Sequence, residues 1–576
     1  MPTVAEMIVT ALAEHGVTTV WGVVGDALNP VTDAIRREER VEWIGVRHEE
    51  SGAFAAGAQA QLTGSLGVCM GTVGPGSVHL LNGLYDAKKS HAPVLAICGQ
   101  VPVAEIGSNF FQEVNNDILF SDVAVFSQTV TSASQMPHLL EQAVNAALQQ
   151  HGVSVLTLPG DVGGLDLPKD TTVPRFVASH RPTAPAADDL AAAAAVINAA
   201  GVVTLLVGCG AREAREEVLA LAATCQAPMV LTLKAKEGLE DDNPYQVGQN
   251  GLIGNPAAAQ AFDDCDVLVM VGTDFPYRDF YPAGGQVVQI DSRAEHIGRR
   301  TSVDVGLVGH AAPTLQALLP LLTAEHDGDH LDNIRSSYDG WVERQRKLVD
   351  PEYDDKPTGF FRRKVDNTED RIRPEVLAAA VGRHATENAI FTTDTGMSTV
   401  WLSRFVSMRG TRRLLGSFNL GSMANAMPQA LGAQALDRER QVIAFCGDGG
   451  LTMLLGDLLT AVAYDLPATF VVFDNGRLGM VKLEQEEGGL PEFGTVLHNP
   501  DLAAVATAMG LTGVRVTDPE DVDEAVRQAL ATRKPVLLDV LTNSEEVAVP
   551  PKPGIDQAWG FAVAKMKETL VSPGAE

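Results

Sequence analysis

Short apolar runs alternate with longer segments of helical pattern along the whole of the 576-residue chain. The runs are rich in β-branched residues and apolar on both faces, which is typical of strands buried inside a parallel sheet. We predict strands in the runs TTVWGVV, LGVCMGTV, PVLAICG, SVLTLPG, VVTLLVG, PMVLTL, DVLVMVG, QVVQID, AIFTTD, QVIAFCG, ATFVVF and PVLLDVL. Because strand and helix alternate many times, the sequence predicts an α/β fold built from doubly wound parallel sheets.

Two shifts in composition divide the chain, which is too long for one hydrophobic core. Residues 174–189 are rich in Pro and Ala, and the segment 335–373 is charged and only weakly apolar. We expect α/β domains at 1–175, 188–335 and 370–545, a charged linker at 336–369 that looks like an insertion, and a tail at 546–576. The first and third domains follow a similar plan, which is compatible with a duplicated unit.

Charge and cysteine usage limit the classes of partner. The formal net charge of −30 disfavours anionic partners at long range, so we expect no nucleic-acid partner. The six cysteines are scattered without a C-x-x-C pair, so we interpret them as buried thiols of a reducing compartment and predict no zinc site. These cysteines are Cys69, Cys98, Cys209, Cys225, Cys265 and Cys446.

The N-terminal segment MPTVAEMIVTALAEHG predicts a helix, with Thr3 as its N-cap and Glu6 completing a capping box. It lacks the basic start and the cleavage site of a signal peptide. No run approaches the roughly 18 apolar residues that a membrane span requires. We therefore expect a cytoplasmic protein.

Two oxygen-bearing side chains follow two apolar runs near the middle of the third domain. Asp448 comes directly after QVIAFCG, and Asn475 comes shortly after ATFVVF. Because the carboxyl ends of parallel strands meet at one edge of a sheet, we expect the two side chains to lie together. Gly449 and Gly450 leave room for a phosphate, and two hard oxygens beside phosphate oxygens suit Mg²⁺. Two unrelated tight turns are the alternative interpretation.

The pattern GDG, helix, apolar strand and Asn resembles the cofactor motif of the thiamine-diphosphate-dependent enzymes. The resemblance implies that Asp448 and Asn475 bind Mg²⁺ together with a backbone carbonyl near Arg477. It also implies that the diphosphate of thiamine diphosphate contacts Gly449, Gly450, Asn475, Gly476, Arg477, Leu478, Gly479, Met480 and Val481.

The segment RHEESGAFAAGA resembles the activating motif in the first domain of the same family. The resemblance implies that Glu49 hydrogen-bonds to the aminopyrimidine ring of the cofactor, which then removes the C2 proton of the thiazolium ring. Glu50 is given a structural role, and an acid that merely suits a helix N-terminus is the alternative for Glu49. Glycine turns after two strands imply further cofactor contacts for Gly25, Asp26, Gly74 and Gly76.

The segment LLGSFNLGSMANAMPQALGAQ places a bulky methionine before a helix of small residues. By resemblance, Met423 wedges the cofactor into a bent shape, and Gly421 and Ser422 lie beside it. An ordinary core methionine is the alternative for Met423.

Two segments of the middle domain, NGLIG and GTDFPYRDFYP, resemble FAD-contacting parts of the pyruvate oxidase branch, which includes quinone-dependent pyruvate dehydrogenases. Asp291 ends the run QVVQID, the position of a ribose-binding acid in dinucleotide folds. A plain α/β spacer domain without FAD is the alternative. The resemblance implies FAD contacts for Asn250, Gly251, Leu252, Ile253, Thr273, Asp274, Phe275, Pro276, Tyr277 and Asp291.

Five residues bear on the substrate. By resemblance, Phe111 and Gln112 face the bound intermediate. Glu484 stands where pyruvate oxidases have Glu and acetolactate synthases have a Trp for a second keto acid, which favours oxidation. Met480 stands where the oxidases have a Phe and is the residue that the synthases have there, and Thr395 stands where a Val is usual. These two residues leave strictness for pyruvate over related 2-keto acids open.

The resemblance as a whole implies oxidative decarboxylation of pyruvate to acetate and CO₂ through a hydroxyethyl–thiamine diphosphate intermediate, with electrons passing via FAD to a quinone. The alternatives are an oxygen-dependent pyruvate oxidase, a carboligase of the acetolactate synthase type and a catalytically silent relative. Intact Glu49, Asp448 and Asn475 count against the last. The resemblance also implies a homodimer at minimum and a tetramer, with Glu49 and Asp448 of one active site on different subunits.

The tail 546–576 carries Trp559, Val563, Met566 and Leu570 at helical spacing beside two lysines. By resemblance, such a tail makes a peripheral contact with the inner face of the cell membrane. An ordinary docked helix is the alternative.

Overall fold

The computed structural model describes residues 1–177, 182–353 and 371–545. Three parallel sheets flanked by helices form three α/β domains, so the predicted fold class is confirmed. The expectations for the linker segment 354–370 and for the tail 546–576 lie outside the described residues. No helix in the described ranges is long and apolar enough to cross a membrane.

The first domain is built on a six-stranded sheet with the order β2-β1-β3-β4-β6-β5. Its first helix begins after the N-cap Thr3, whose side chain accepts from the Glu6 N–H, and the predicted capping box is confirmed. The strands are β1 Thr19–Gly22, β2 Glu42–Gly45, β3 Gly67–Gly71, β4 Val94–Gln100, β5 Ala124–Thr129 and β6 Val153–Pro159. The helices are α1 Val4–Glu14, α2 Asn29–Arg37, α3 Glu49–Thr63, α4 Pro75–His79, α5 Leu81–Lys89, α6 Asn116–Leu119 and α7 Met136–Gln150.

The central domain has a five-stranded sheet with the order β11-β10-β9-β7-β8. Its strands are β7 Val203–Val207, β8 Met229–Leu231, β9 Val267–Val271, β10 Gln286–Asp291 and β11 Val305–Val308. Its helices are α8 Ala187–Ala199, α9 Arg215–Cys225, α10 Lys236–Leu239, α11 Pro256–Asp263, α12 Ala311–Leu318 and α13 Asp329–Leu348.

The third domain has a six-stranded sheet with the order β13-β12-β14-β15-β17-β16, which is the order of the first sheet in corresponding strands. This shared topology supports the duplicated plan seen in the sequence. The strands are β12 Ile390–Thr393, β13 Arg413–Gly416, β14 Val442–Gly447, β15 Thr469–Asp474, β16 Thr512–Val516 and β17 Val536–Leu541. The helices are α14 Pro374–His384, α15 Met397–Phe405, α16 Ala426–Leu436, α17 Asp448–Met453, α18 Leu458–Ala463, α19 Gly479–Glu487, α20 Leu502–Met509 and α21 Val522–Ala531.

The first and third domains pack together through α3 and α16. A Cβ added to Gly432 would lie 2.3 Å from the carbonyl oxygen of Ala55, so the two helix backbones touch. The Gln59 side chain donates to the carbonyl oxygen of Gly432 at 3.2 Å. One hydrophobic cluster therefore continues from Trp21 in the first domain to Phe470 in the third.

One interpretation of the cysteines is wrong. Cys209 is exposed, whereas the other five are buried and none of the six forms a disulfide. Cys209 lies just after β7, between Gly208 and Gly210, at the carboxyl edge of the sheet rather than within a strand. The apolar run ends at the strand, and the loop that follows reaches the surface.

In each sheet, the strand order reverses between two adjacent strands, and the chain winds away from them in opposite directions. These neighbours are β1 and β3 in the first domain, β7 and β9 in the central domain, and β12 and β14 in the third. At the carboxyl edge between such a pair of strands, α/β sheets commonly bind their ligands. The fold therefore offers three candidate ligand sites.

Candidate active site

A cavity opens at the carboxyl ends of β12 and β14 in the third domain, with an empty volume of about 810 Å³ counting its open mouth. All its lining residues in the described part of the chain lie between Asp394 and Ser544. The predicted residues that line it are Thr395, Met423, Asp448, Gly449, Gly450, Asn475, Arg477, Leu478, Gly479, Met480 and Val481. Gly421, Ser422, Gly476 and Glu484 are not among the lining residues.

Asp448 and Asn475 lie at the ends of adjacent strands, since Gly447 of β14 pairs with Phe473 of β15. The Oδ2 atom of Asp448 accepts from the Gly476 N–H at 3.0 Å and from the Asn499 side chain at 2.6 Å. Asn475 Oδ1 accepts from the Arg477 N–H at 2.9 Å. The carboxylate and amide oxygens are hard donors of the kind that Mg²⁺ takes, so the donor set fits this ion.

Two glycines form a cradle beside Asp448. A Cβ on Gly450 would lie 2.4 Å from Asp394 Oδ2, and one on Gly449 would lie 2.8 Å from a Leu478 methyl carbon. The end of the Met423 side chain lies 3.5 Å from the position of the same added Cβ of Gly449. This methionine lines the cavity instead of filling a closed core. Only backbone fits at these two positions, which suits close approach by a diphosphate.

Burial raises the pKa values of two acids in the cavity. It raises the pKa of Asp394 to about 7, against hydrogen bonds from the Ala426 and Gly447 N–H groups that lower it. It also raises the pKa of Asp448 to about 7, and the neighbouring charge of Asp474 adds to the shift. A bound cation would offset the cost of holding this carboxylate ionised in a buried site.

The loops after β1 and β3 bring the predicted residues of the first domain together. A Cβ on Gly25 would overlap Thr72, with contacts of 2.3 Å, and one on Gly76 would lie 3.1 Å from Glu49 Oε1. Gly74 has a φ of +67°, and its Cβ would lie 2.7 Å from the carbonyl oxygen of Gln112. Glycine is therefore required at this turn both by conformation and by space.

The remaining first-domain residues lie around this turn. Gln112 adopts a left-handed backbone conformation, with a φ of +66°, which is uncommon for a residue with a side chain. The neighbouring Phe111 is 79% exposed. Asp26 is exposed, and its carboxylate accepts from the Ala27 N–H at 2.9 Å.

Glu49 is buried at the start of α3 and contacts His79. The Glu49 Oε2 atom lies 2.9 Å from the Nδ1 of His79. Glu49 is not among the residues that line the cavity of the third domain, so one described chain does not bring Glu49 and Asp448 into a single cavity. The surface that holds Glu49 and the cavity that holds Asp448 are two separate parts of a candidate site.

The two central segments predicted to contact FAD lie against each other. Gly251 has a φ of +92°, and a Cβ there would lie 2.8 Å from the Phe275 ring. The rings of Phe275 and Tyr277 are 5.5 Å apart. Burial raises the pKa of Tyr277, and the negative charge of Glu484 adds to the shift. Tyr277 therefore lies near Glu484 of α19 in the third domain.

Other residues of these segments have defined contacts. Asn250 is buried and donates to the carbonyl oxygen of Phe280 at 3.2 Å, whereas Leu252 is exposed. Ile253 packs against the core of the third domain. Asp274 pairs with Arg299 and Arg300, while Thr273 is half-buried and Pro276 is exposed.

Asp291 ends β10 at the carboxyl edge of the central sheet and is buried. Its Oδ1 accepts from the Arg293 N–H at 2.9 Å, and its Oδ2 lies 3.2 Å from the Nδ1 of His296. The loops after β7 and β9 touch through glycine backbone at the same edge of the sheet, because a Cβ on Gly208 would lie 2.3 Å from the carbonyl oxygen of Gly272.

Three segments of the sequence match known domains in the same order. Residues 2–119 match "Thiamine pyrophosphate enzyme, N-terminal TPP binding domain", and residues 190–318 match "Thiamine pyrophosphate enzyme, central domain". Residues 394–540 match "Thiamine pyrophosphate enzyme, C-terminal TPP binding domain". The chain belongs to the thiamine pyrophosphate (thiamine diphosphate) enzyme family.

Similar proteins match nearly the whole chain. The protein YdaP of Bacillus subtilis (strain 168) is 37% identical over 571 residues, which cover 98% of this chain and 96% of YdaP. Pyruvate oxidase of Lactiplantibacillus plantarum is 30% identical over 564 residues, covering 96% of this chain and 91% of the oxidase. The acetolactate synthase large subunit of Parasynechococcus marenigrum is 31% identical over 570 residues, covering 95% and 89% of the two chains.

Within this thiamine pyrophosphate enzyme, several residues near the candidate site were missed by sequence reasoning. Asp394 follows the run AIFTT at a strand end, the same signal that selected Asp448. Asn499 and His79 carry no such signal, since their importance lies in contacts with residues that are distant in sequence. The buried Lys482 on α19 also lines the cavity.

Proposed function

We propose that this enzyme converts pyruvate and water to acetate and CO₂, passing the two electrons and two protons released via FAD to a quinone. The observation that carries the proposal is the contact between the central and third domains. Ile253 of one predicted FAD segment packs against the core of the third domain. The other predicted segment ends at Tyr277, whose pKa is raised in part by the charge of Glu484 on α19, the helix that lines the cavity. A flavin ring held by this segment would lie next to the carbon undergoing decarboxylation.

The third domain would hold the thiamine cofactor through a metal ion. We assign the ion to the Asp448 carboxylate, the Asn475 amide oxygen and the backbone carbonyl of Arg477. The cradle of Gly449 and Gly450 would receive the diphosphate, with the segment 475–481 closing over it. Bound thiamine diphosphate supplies the electron sink for decarboxylation.

Glu49 is assigned to a second copy of the chain. It would hydrogen-bond to the aminopyrimidine ring, with Gly25, Asp26, Gly74 and Gly76 lining the same ring. A homodimer is then the minimum active unit, and we propose a tetramer on the resemblance. Exposed apolar side chains on both surfaces support such a contact: Val24, Val78 and Phe111 near Glu49, and Met453, Val481 and Phe493 near the cavity.

The central domain fits a dinucleotide. The strand order reverses between β7 and β9, the position at which α/β sheets form a crevice for a dinucleotide, and Asp291 lies at the end of the next strand. We assign FAD to this crevice, where Asp291 would accept a ribose hydroxyl. The segments 250–253 and 273–277 would extend the FAD site toward the cavity.

Residues in and beside the cavity would determine whether the enzyme carries out oxidation or carboligation. An exposed Glu484 offers no flat apolar face for a second keto acid, which supports oxidation. Met480 and Thr395 line the cavity and would set the size of the accepted 2-keto acid, together with Phe111 and Gln112 of the second copy.

A carboligase of the acetolactate synthase type is the second candidate. Met480 and the 31% identity to an acetolactate synthase large subunit favour it. Direct use of oxygen by reduced FAD is a variant of the first proposal. A quinone acceptor at the membrane would depend on the tail 546–576, which lies outside the described residues.

The products distinguish these functions. Purified enzyme with thiamine diphosphate, Mg²⁺ and pyruvate is assayed with a soluble quinone, then with oxygen, and the products are separated by chromatography. We expect acetate in proportion to quinol formed, and little turnover with oxygen alone. Acetolactate as the main product would overturn the proposal in favour of the carboligase, and peroxide formation would favour the oxygen-dependent enzyme.

A further inference from the structure

A cluster of two imidazoles and a carboxylate lies around Glu49. Its members are His48, Glu49 and His79, whose candidate donor atoms lie within 4.8 Å of one another. Glu49 is the first residue of α3, His48 is the N-cap of that helix, and His79 is the last residue of α4. Two helix ends therefore meet at this carboxylate.

His79 contacts one defined oxygen of Glu49. The distance from His79 Nδ1 to Glu49 Oε2 is 2.9 Å. An ionised carboxylate can only accept a hydrogen bond, so the Nδ1–H of His79 donates to it. The Glu49 side chain is 8% exposed and that of His79 is 42% exposed, so the carboxylate is the buried member of this pair.

The histidine ring is itself held in place. The rings of His48 and His79 are stacked, with centroids 4.4 Å apart and an interplanar angle of 24°. His48 Nδ1 accepts from the Glu50 N–H at 3.3 Å, which ties its ring to the first turn of α3. The helix start thus orients His48, the stack orients His79, and His79 orients the Glu49 carboxyl.

The second oxygen of Glu49 is in a different setting. A Cβ added to Gly76 would lie 3.1 Å from Glu49 Oε1. Among the described residues, Oε1 receives no hydrogen bond. A carboxyl with one oxygen committed to a donor can exchange a proton only through the other. Gly76 keeps that oxygen free of side-chain atoms.

We propose that His79 is a positioning residue that fixes the Glu49 carboxyl, so that Oε1 is the oxygen that gives and takes the proton at the aminopyrimidine of the cofactor. This inference rests on the role of Glu49 in the proposed function. Its physical basis is orientation: a carboxyl free to rotate presents its proton-carrying oxygen correctly only part of the time.

Hydrogen–deuterium exchange at C2 of bound thiamine diphosphate, followed by acid quench and ¹H NMR, tests this role without turnover. In His79→Leu, which keeps bulk but has no donor, we expect exchange to slow by roughly tenfold to a hundredfold. In His79→Asn, the amide nitrogen occupies the position of Nδ1, and we expect most of the rate to return. His138→Leu, at an exposed histidine on α7, is the control and leaves the rate unchanged.

The outcomes distinguish the positioning role of His79 from the assignment of Glu49 on which it rests. Slow exchange in Glu49→Gln and His79→Leu, with recovery in His79→Asn and cofactor affinity unchanged by calorimetry, supports the inference. Wild-type exchange in His79→Leu, or a slower rate in Asn than in Leu, overturns the positioning role alone. Wild-type exchange in Glu49→Gln overturns the assignment of Glu49 and the inference together.

Discussion

The side chain of Asn499 donates to Asp448 Oδ2 at 2.6 Å and, through the same nitrogen, to Asp474 Oδ1 at 2.8 Å. One amide thus bridges two buried carboxylates at the ends of adjacent strands. Without the bridge, these two like charges would face each other with no donor between them. Asn499 is therefore expected to fix the orientation of the proposed metal ligand Asp448.

We predict that Asn499→Ala weakens Mg²⁺ binding by roughly tenfold to a hundredfold, the usual effect of losing an outer-shell partner. Calorimetric titration of Mg²⁺ into enzyme saturated with thiamine diphosphate measures this. His498→Ala, at the exposed neighbouring residue, is the matched control and keeps wild-type affinity. If the wild type, Asn499→Ala and His498→Ala bind Mg²⁺ with equal affinity, Asn499 does not support the metal site.

We predict that Glu484→Trp shifts the products from acetate toward acetolactate, because an indole offers a face on which a second keto acid can stack. The ratio of the two products at saturating pyruvate is the measurement. Glu487→Gln removes a charge from the same helix, beside Glu484, and serves as control. An unchanged product ratio in the Trp variant contradicts the proposed role of Glu484.

We predict that Asp291→Asn lowers FAD affinity by about tenfold, since a hydrogen bond to a charged acceptor is replaced by one to a neutral amide. Flavin absorbance retained after gel filtration reports the loss. Glu295→Gln removes an exposed charge nearby, with the Glu295 side chain 62% exposed, and retains the flavin. If both variants keep FAD equally, Asp291 is not part of an FAD site.

We predict a pH-dependent stability contribution from Asp86, which accepts from Gln429 at 3.0 Å across the contact between the first and third domains. Burial raises the pKa of Asp86 to about 6 in the native state, above the value of about 3.9 for an unfolded chain. The native state then binds more protons between these values, so stability falls as pH rises through this window, by about 3 kcal/mol in full.

Asp86→Asn lacks this titration. Its melting temperature relative to wild type should therefore increase from pH 4 to pH 7, as followed by thermal unfolding in buffers of equal ionic strength. A difference that does not change with pH would show that Asp86 keeps an ordinary pKa in the folded enzyme.

Strands that are buried on both faces could be predicted from sequence, and those at sheet edges mostly could not. All the predicted runs form strands, including β4 and β14, whose residues are almost entirely buried. The strands that were missed, β2, β5, β11, β13 and β16, all lie at sheet edges. An edge strand such as β16 is half exposed, with the residues TGVRV, so it lacks the continuous apolar run.

The residues of the candidate site also differ in whether they could be predicted from the sequence. Asp448 and Asn475 could be placed together because strand ends in a parallel sheet meet at one edge. The contact between His79 and Glu49 and the bridge by Asn499 depend on how separate loops fold over that edge. Such contacts leave no periodicity or spacing in the sequence.

The central claim is that electrons from pyruvate reach a flavin within this enzyme. It is tested most directly by mixing the enzyme, loaded with thiamine diphosphate, Mg²⁺ and FAD, with pyruvate in the absence of oxygen and quinone, and following flavin absorbance by stopped flow. We predict that the flavin bleaches in a single turnover, with one acetate formed per FAD reduced. Acetolactate formation with the flavin still oxidised would contradict the account.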